Sequence, residues 1–138
     1  MKGRITVILL AICAVLIILP VISACAEDDA NMSLLAKIPL EESLKNGKAT
    51  LAEFGWRECI PCKEMRPILE KLAEEYKNTV NVLIVEIPNH KDLAQNYGIE
   101  VMPVQIFFDR QGKEVIRHAG FLPREAIIGQ FDKMGIMK

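Results

Sequence analysis

The sequence contains only four cysteines and two histidines, and these small numbers limit the metal sites that it can form. Two of the cysteines lie in an apolar N-terminal segment, and His90 and His118 stand far apart in the chain. A structural zinc site needs four ligands, usually from a second CxxC or from a closely spaced pair of histidines. Because neither accompanies Cys59 and Cys62, we expect no metal and no other cofactor.

The sequence also lacks an excess of charge of either sign, since 17 basic residues face 18 acidic ones and the net charge is −1. It contains no basic field, acidic tail, internal repeat or low-complexity segment. A protein without a basic field has nothing to attract nucleic acid, so we expect no such partner. With 138 residues, the chain has room for one globular domain and a leader, and we expect it to act as a monomer.

Residues 1–26 are typical of an export signal or membrane anchor, because Lys2 and Arg4 precede an apolar run over residues 5–19. Three fates stay open for this leader. Ala24-x-Ala26 fits a cleavage site that would release a soluble protein. The segment ending at Cys25 resembles a bacterial lipobox, in which that cysteine is lipidated. If uncut, the run is long enough to span a bilayer. All three predict a periplasmic or cell-surface protein. Cleavage would release it, whereas lipidation or an uncut anchor would tether it to the membrane.

The remaining two cysteines form Cys59-Ile60-Pro61-Cys62, at the junction of a predicted strand over residues 49–55 and a predicted helix from residue 62. The first turn of a helix has unpaired N–H groups and the positive end of the helix dipole. The pKa of Cys59 should therefore fall below the free-thiol value of ~8.5. Pro61 suits an early helical position, and Cys62 can reach back to attack a mixed disulfide at Cys59.

Other interpretations of the two cysteines stay open at this point. A purely structural disulfide would close a very short loop and stabilise little. The two thiols could instead hold a soft metal such as Cu(I) for delivery, in a copper chaperone. A non-catalytic module that binds unfolded chains through an apolar groove would not need the cysteines at all. A redox-active dithiol is the interpretation that the position of the pair favours.

The chain resembles the thioredoxin family over residues 49–131. The resemblance is carried by an active-site pattern, a helix proline, a segment that leads into a cis-proline, and a later glycine; these are Phe54, Cys59, Pro61, Cys62, Lys63, Pro67, Tyr97-Gly98-Ile99-Glu100-Val101-Met102-Pro103 and Gly120. Glu53 falls where thioredoxins carry a buried acid, usually Asp. Three positions depart from the pattern: Glu58 replaces the usual tryptophan, Ile60 replaces glycine, and Ile84 replaces the lysine that often partners the acid.

The resemblance implies a role for each site residue. Cys59 would be the attacking thiolate and Cys62 the resolving thiol. A cis Met102–Pro103 bond would pack against the CxxC, with the Met102 backbone pairing with an extended substrate. We expect Trp56, Ile60 and Pro61 to contribute to the substrate-binding surface.

Glu53 is predicted to accept the proton of Cys62, with a pKa raised by desolvation. The alternative is an exposed glutamate on an edge strand, since Glu is longer than the family's Asp and its partner lysine is missing.

We therefore predict an α/β protein with a thioredoxin-like fold, in which helices flank both faces of a central mixed β-sheet. Residues 27–33 would form a tether and residues 34–138 the domain. Its predicted activity is that of an extracytoplasmic thiol:disulfide oxidoreductase that reduces disulfides in protein substrates. A reductant in an oxidising compartment needs electrons, and the resemblance suggests a membrane thiol-transfer reductase as their source.

Overall fold

The computed structural model of the protein describes residues 39–138. The predicted leader with Cys25, the predicted tether and the first residues of the predicted domain lie outside this range. None of the helices within residues 39–138 is long and apolar enough to cross a membrane.

The described elements follow the order helix, strand, helix, strand, helix, strand, strand, helix. They are α1 (Leu40–Ser43), β1 (Ala49–Gly55), α2 (Ile60–Glu75), β2 (Val80–Glu86), a 3-10 turn (Ile87–Asn89), α3 (Lys91–Asn96), β3 (Val104–Phe108), β4 (Glu114–Ala119) and α4 (Arg124–Lys133). The four strands lie in the order β2-β1-β3-β4. β1 and β2 are parallel, whereas β3 is antiparallel to both β1 and β4. The predicted mixed sheet is therefore confirmed.

Helices cover both faces of this sheet, because β1, β2 and β3 alternate their apolar side chains between two cores. The core on one face packs α2 and α4 against the sheet through residues such as Leu51, Met65, Leu69, Val82, Phe107, Ile127 and Phe131. The core on the other face packs α1 and α3 against Ala52, Phe54, Leu83, Val85, Ile106 and Phe108. β1 lies between β2 and β3 and is buried along its whole length.

The helices agree with the sequence pattern except in detail. α1 is only four residues long and follows Pro39. α2 begins at Ile60 rather than Cys62. α3 ends before Gly98, which adopts a positive φ of 63° as expected of a helix-terminating glycine. In α4, Ile127 and Phe131 are buried and Ala126 is exposed.

Candidate active site

The two active-site cysteines lie where β1 leads into α2, at the N-terminal end of that helix. They form a disulfide, and their Cα atoms are 5.3 Å apart. Cys59 is the N-cap residue of α2, and its sulfur accepts a hydrogen bond from the backbone N–H of Cys62 at 3.4 Å. Pro61 occupies the first turn, where its missing N–H leaves no helical hydrogen bond unmade. The helix N-terminus therefore faces Cys59, where it stabilises a thiolate once the disulfide is reduced.

The two sulfurs differ in accessibility. Cys59 is partly exposed, whereas Cys62 is buried with 6% of its surface accessible. Cys59 is therefore the more accessible of the two to a thiolate or disulfide of another protein. This difference agrees with the roles expected of an attacking and a resolving cysteine.

The start of β3 lies beside the end of β1, the strand that leads into the cysteines. The Met102–Pro103 peptide bond is cis, as predicted, and Pro103 is buried. Because Phe54 pairs with Val104, Pro103 is placed next to the end of β1. The carbonyl oxygen of Pro103 accepts a hydrogen bond from the backbone N–H of Gly120 at 2.8 Å. The ends of β1 and β4 and the start of β3 thus meet at one edge of the sheet.

Exposed apolar side chains rim this edge. Trp56, Ile60 and Met102, which were expected at the substrate-binding surface, are all exposed, and Ile60 is 71% accessible. Two further exposed residues, Val101 and Phe121, lie next to Met102 and Gly120 in the chain and were not predicted. Exposed apolar side chains gathered in one region are typical of a surface that binds another molecule.

Glu53 lies on the central strand and is buried, with 2% of its surface accessible. The alternative of an exposed edge-strand glutamate is therefore wrong. Its neighbours across the sheet are Ile84 on β2 and Gln105 on β3. Its Oε1 atom finds no hydrogen-bond partner among residues 39–138. Burial raises the pKa of Glu53 to about 7, although the positive charge of Arg66 opposes this rise.

The carboxyl group of Glu53 and the sulfur of Cys62 share the space above Gly55. A Cβ atom on Gly55 would lie 2.9 Å from the carboxyl carbon of Glu53 and 3.0 Å from the Cys62 sulfur. The acid and the buried thiol are therefore within direct or single-water reach of each other, the range that proton transfer requires. Glycine is needed at this position because a side chain would displace both groups.

Three polar residues that the sequence analysis did not single out surround this acid. Arg66 and Glu86 form an ion pair at 2.7 Å. Gln105 is fully buried and donates a hydrogen bond from Nε2 to the carbonyl oxygen of Gly120 at 3.1 Å. Two signals in the sequence could have found the ion pair. Arg66 follows Cys62 by four residues and so shares its helix face. Glu86 ends a strand parallel to β1, and the ends of parallel neighbours meet at one sheet edge.

Within residues 39–138, no three side chains of His, Cys, Asp or Glu lie close enough together to hold a metal ion. Both histidines are remote from the site in the chain. His90 is exposed, and His118 lies on β4 with its ring Nε2 3.3 Å from the carbonyl oxygen of Phe121.

Comparison with known proteins identifies the class of this fold and site. The family model for thioredoxin matches residues 32–133, so the chain belongs to the thioredoxin family. Its domain is a thioredoxin-like thiol:disulfide oxidoreductase domain, with Cys59 and Cys62 as the CxxC active-site disulfide. The fold is similar to that of a mutant thioredoxin from Halobacterium salinarum NRC-1, with a TM-score of 0.64 and 23% identity over 72% of this chain and 85% of that one.

Two curated relatives indicate how far the similarity extends. The chain is 36% identical over 93 residues to the thioredoxin-like protein HCF164, chloroplastic, of Arabidopsis thaliana. This match covers 66% of this chain and 36% of that protein. It is 33% identical over 79 residues to thioredoxin C-2 of Corynebacterium nephridii, and this match covers 57% of this chain and 70% of that protein. The chain thus spans about a third of the length of the chloroplast relative.

Proposed function

We propose that this protein is an exported reductant of disulfides in other proteins, held at the membrane by its N-terminal segment. The observation that carries the proposed chemistry is the asymmetry of the two cysteines. Cys59 is accessible at a helix N-terminus, whereas Cys62 is buried against Glu53, an acid whose pKa is raised to about 7. A reductase that works through a mixed disulfide needs one accessible nucleophile and one shielded thiol with a proton acceptor beside it.

In the first step, the thiolate of Cys59 attacks one sulfur of a substrate disulfide. A mixed disulfide forms between Cys59 and the substrate, and the other substrate sulfur leaves as a thiolate that takes a proton from water. In the second step, Cys62 loses its proton to the carboxylate of Glu53 and attacks the Cys59 sulfur. The Cys59–Cys62 disulfide forms and the second substrate sulfur is released. Two electrons pass from the protein to the substrate.

The apolar rim and the cis-proline segment bind the substrate in this proposal. Trp56, Ile60, Pro61 and Met102 contact apolar side chains of an extended segment, while the Met102 backbone pairs with its main chain. Main-chain pairing accepts many sequences, since backbone groups are common to all of them. The proposed substrates are accordingly proteins with accessible disulfides rather than one small molecule.

The proposed location and partners come from the leader. Lys2 and Arg4 ahead of an apolar run support export, and Cys25 supports lipidation and a membrane tether. After each turnover the protein holds a disulfide, which must be reduced again outside the cytoplasm. A membrane thiol-transfer protein that delivers a dithiol to Cys59 would supply these electrons by the same exchange chemistry.

Cysteine substitutions test the proposed chemistry. Cys59→Ser should abolish catalysis of the reduction of insulin disulfides by dithiothreitol and leave only the slow uncatalysed reaction, because the nucleophile is lost. Cys62→Ser should instead accumulate mixed disulfides with substrate, visible by mass spectrometry without reductant. Cys13→Ser, in the leader, is the matched control and should keep full activity. The role assignment is wrong if Cys62 is alkylated faster than Cys59 in the reduced protein. Tight copper binding without reductase activity would favour the chaperone alternative.

A further inference from the structure

An ion pair that the proposed redox steps do not use lies beside the buried acid. The Nη2 atom of Arg66 lies 2.7 Å from Oε1 of Glu86, whose Oε2 accepts a hydrogen bond from the backbone N–H of Arg57 at 3.0 Å. The two side chains are only 27% and 23% exposed. Their charges are therefore less screened by water than those of a surface pair.

The elements that carry this pair place it against the space shared by Glu53 and Cys62. Arg66 lies four residues after Cys62 on α2, which is about one helical turn further along the same face. Glu86 ends β2 and is the register partner of Gly55. Gly55 is the residue above which the carboxyl group of Glu53 and the sulfur of Cys62 meet. Helix α2 and strand β2 thus bring opposite charges to this space from two sides.

The two charges act on Glu53 with opposite signs. Among the described residues, α2 contributes Cys62 and the positive Arg66 to its surroundings, and β2 contributes the negative Glu86. The cross-strand neighbours of Glu53, Ile84 and Gln105, carry no charge. Arg66 attracts the carboxylate and lowers the pKa of Glu53, whereas Glu86 repels the carboxylate and raises it. While both are present, the two effects partly cancel.

We infer that Arg66 and Glu86 are a pair of positioning residues that sets the pH at which Glu53 changes charge, without either side chain touching the reacting sulfurs. The importance of that pH for turnover rests on the proposed function, in which Glu53 accepts the proton of Cys62. A carboxylate that is already protonated cannot accept it, so the pair would fix the lower pH limit of the resolution step.

The test compares Arg66→Met, Glu86→Gln and the double variant in the full, reduced chain in detergent solution. The charge of Glu53 is followed by carbon NMR of its labelled carboxyl group, with Glu53→Gln used to assign the signal. Arg66→Met should raise the titration midpoint by about one pH unit, and Glu86→Gln should lower it. The double variant should titrate close to the parent. Arg66→Lys, which keeps the positive charge, should shift the midpoint least among the single variants.

Opposite shifts separate this role from a merely structural one. If the pair only fastened α2 to β2, either single substitution would break the same contact and both would move the midpoint in one direction. Arg124→Met is the matched control, because it breaks an ion pair of 2.8 Å with Glu75 at the far end of α2 and should leave the midpoint unchanged. Equal midpoints in all variants, or shifts of the same sign, would overturn the inference.

A parallel measurement of the resolution rate against pH distinguishes this inference from the proposed function. If the NMR midpoints move as expected and the rate profiles move with them, both stand. If the midpoints move and the rate profiles do not, the pair controls the charge of Glu53, and it is the proton-accepting role of Glu53 that is wrong.

Discussion

Replacing Glu53 by glutamine should make the stability of the oxidised protein less dependent on pH. Glu53 is buried with 2% of its surface accessible, and burial raises its pKa from 4.5 to about 7. Glutamine has nearly the same shape and stays neutral at every pH. The substitution therefore removes the ionisation of one buried group and little else.

The sign follows from proton binding in the two states. Between pH 4.5 and pH 7 the folded protein keeps the proton on Glu53, whereas the unfolded chain has released it. The folded state then binds more protons, so the contribution of Glu53 to stability is fully present below pH 4.5 and is lost as pH rises through 7. The gap of about 2.5 pH units corresponds to about 3 kcal/mol, at about 1.4 kcal/mol per unit.

Urea denaturation of the disulfide-bonded protein at a series of pH values measures this effect. The free energy of unfolding of Glu53→Gln minus that of the parent should grow between pH 4.5 and pH 7, by up to about 3 kcal/mol, and then level off. Glu64→Gln, on the exposed side of α2, controls for the change of residue type. A difference that stays constant from pH 4 to pH 9 would refute the argument that Glu53 is an acid held neutral by burial.

Two further predictions concern the packing of the site and the leader. Gly55→Ala should destabilise the protein by about 1–3 kcal/mol in urea denaturation, because the new Cβ would lie 3.0 Å from the Cys62 sulfur and would overlap the Glu53 carboxyl group. Gly129→Ala is the control, because a Cβ there would meet no described atom within 4 Å, and it should stabilise the protein by up to about 1 kcal/mol. Equal effects of the two substitutions would contradict the close packing described at Gly55. Cys25→Ser should block processing and leave a full-length precursor in the membrane fraction if Cys25 is lipidated. Intact-mass measurement checks this, and a soluble product beginning at Glu27 would contradict the tether.

The sequence predicted most of the fold because its local signals agree with one another. The strand predicted over residues 49–55 and the helix predicted after it are confirmed by β1 and α2, although α2 begins two residues earlier than expected. The CxxC was also predictable, since both residues lie at one helix start. The cis Met102–Pro103 bond was predicted from the family resemblance alone, because most bonds that precede a proline are trans.

The surroundings of Glu53 were only partly predictable. Helix spacing places Arg66 on the same face as Cys62, and Glu86 ends a predicted strand, but neither signal shows which strands become neighbours. Whether a glutamate in a strand is buried or exposed depends on strand order, and β1 became central only when β3 paired beside it. Arg66 and Glu86 lie on different elements, and each alone has the pattern of an ordinary solvated residue. Their contact depends on the way that α2 packs over the parallel β1–β2 pair. Gln105 is similarly a polar residue in an apolar strand, and its hydrogen-bond partner Gly120 follows the last residue of β4.

The reduction potential of the Cys59–Cys62 couple, equilibrated against glutathione, tests the proposed function most directly. Thioredoxin-fold proteins range from about −270 mV for reductants to about −120 mV for strong oxidants. A protein that supplies electrons to substrate disulfides should lie close to the reducing end, so that transfer to the substrate is favourable. We therefore expect the oxidised and reduced forms to be equally populated only in a strongly reducing glutathione buffer. A potential close to −120 mV would contradict the account and would make the protein an oxidant of thiols instead.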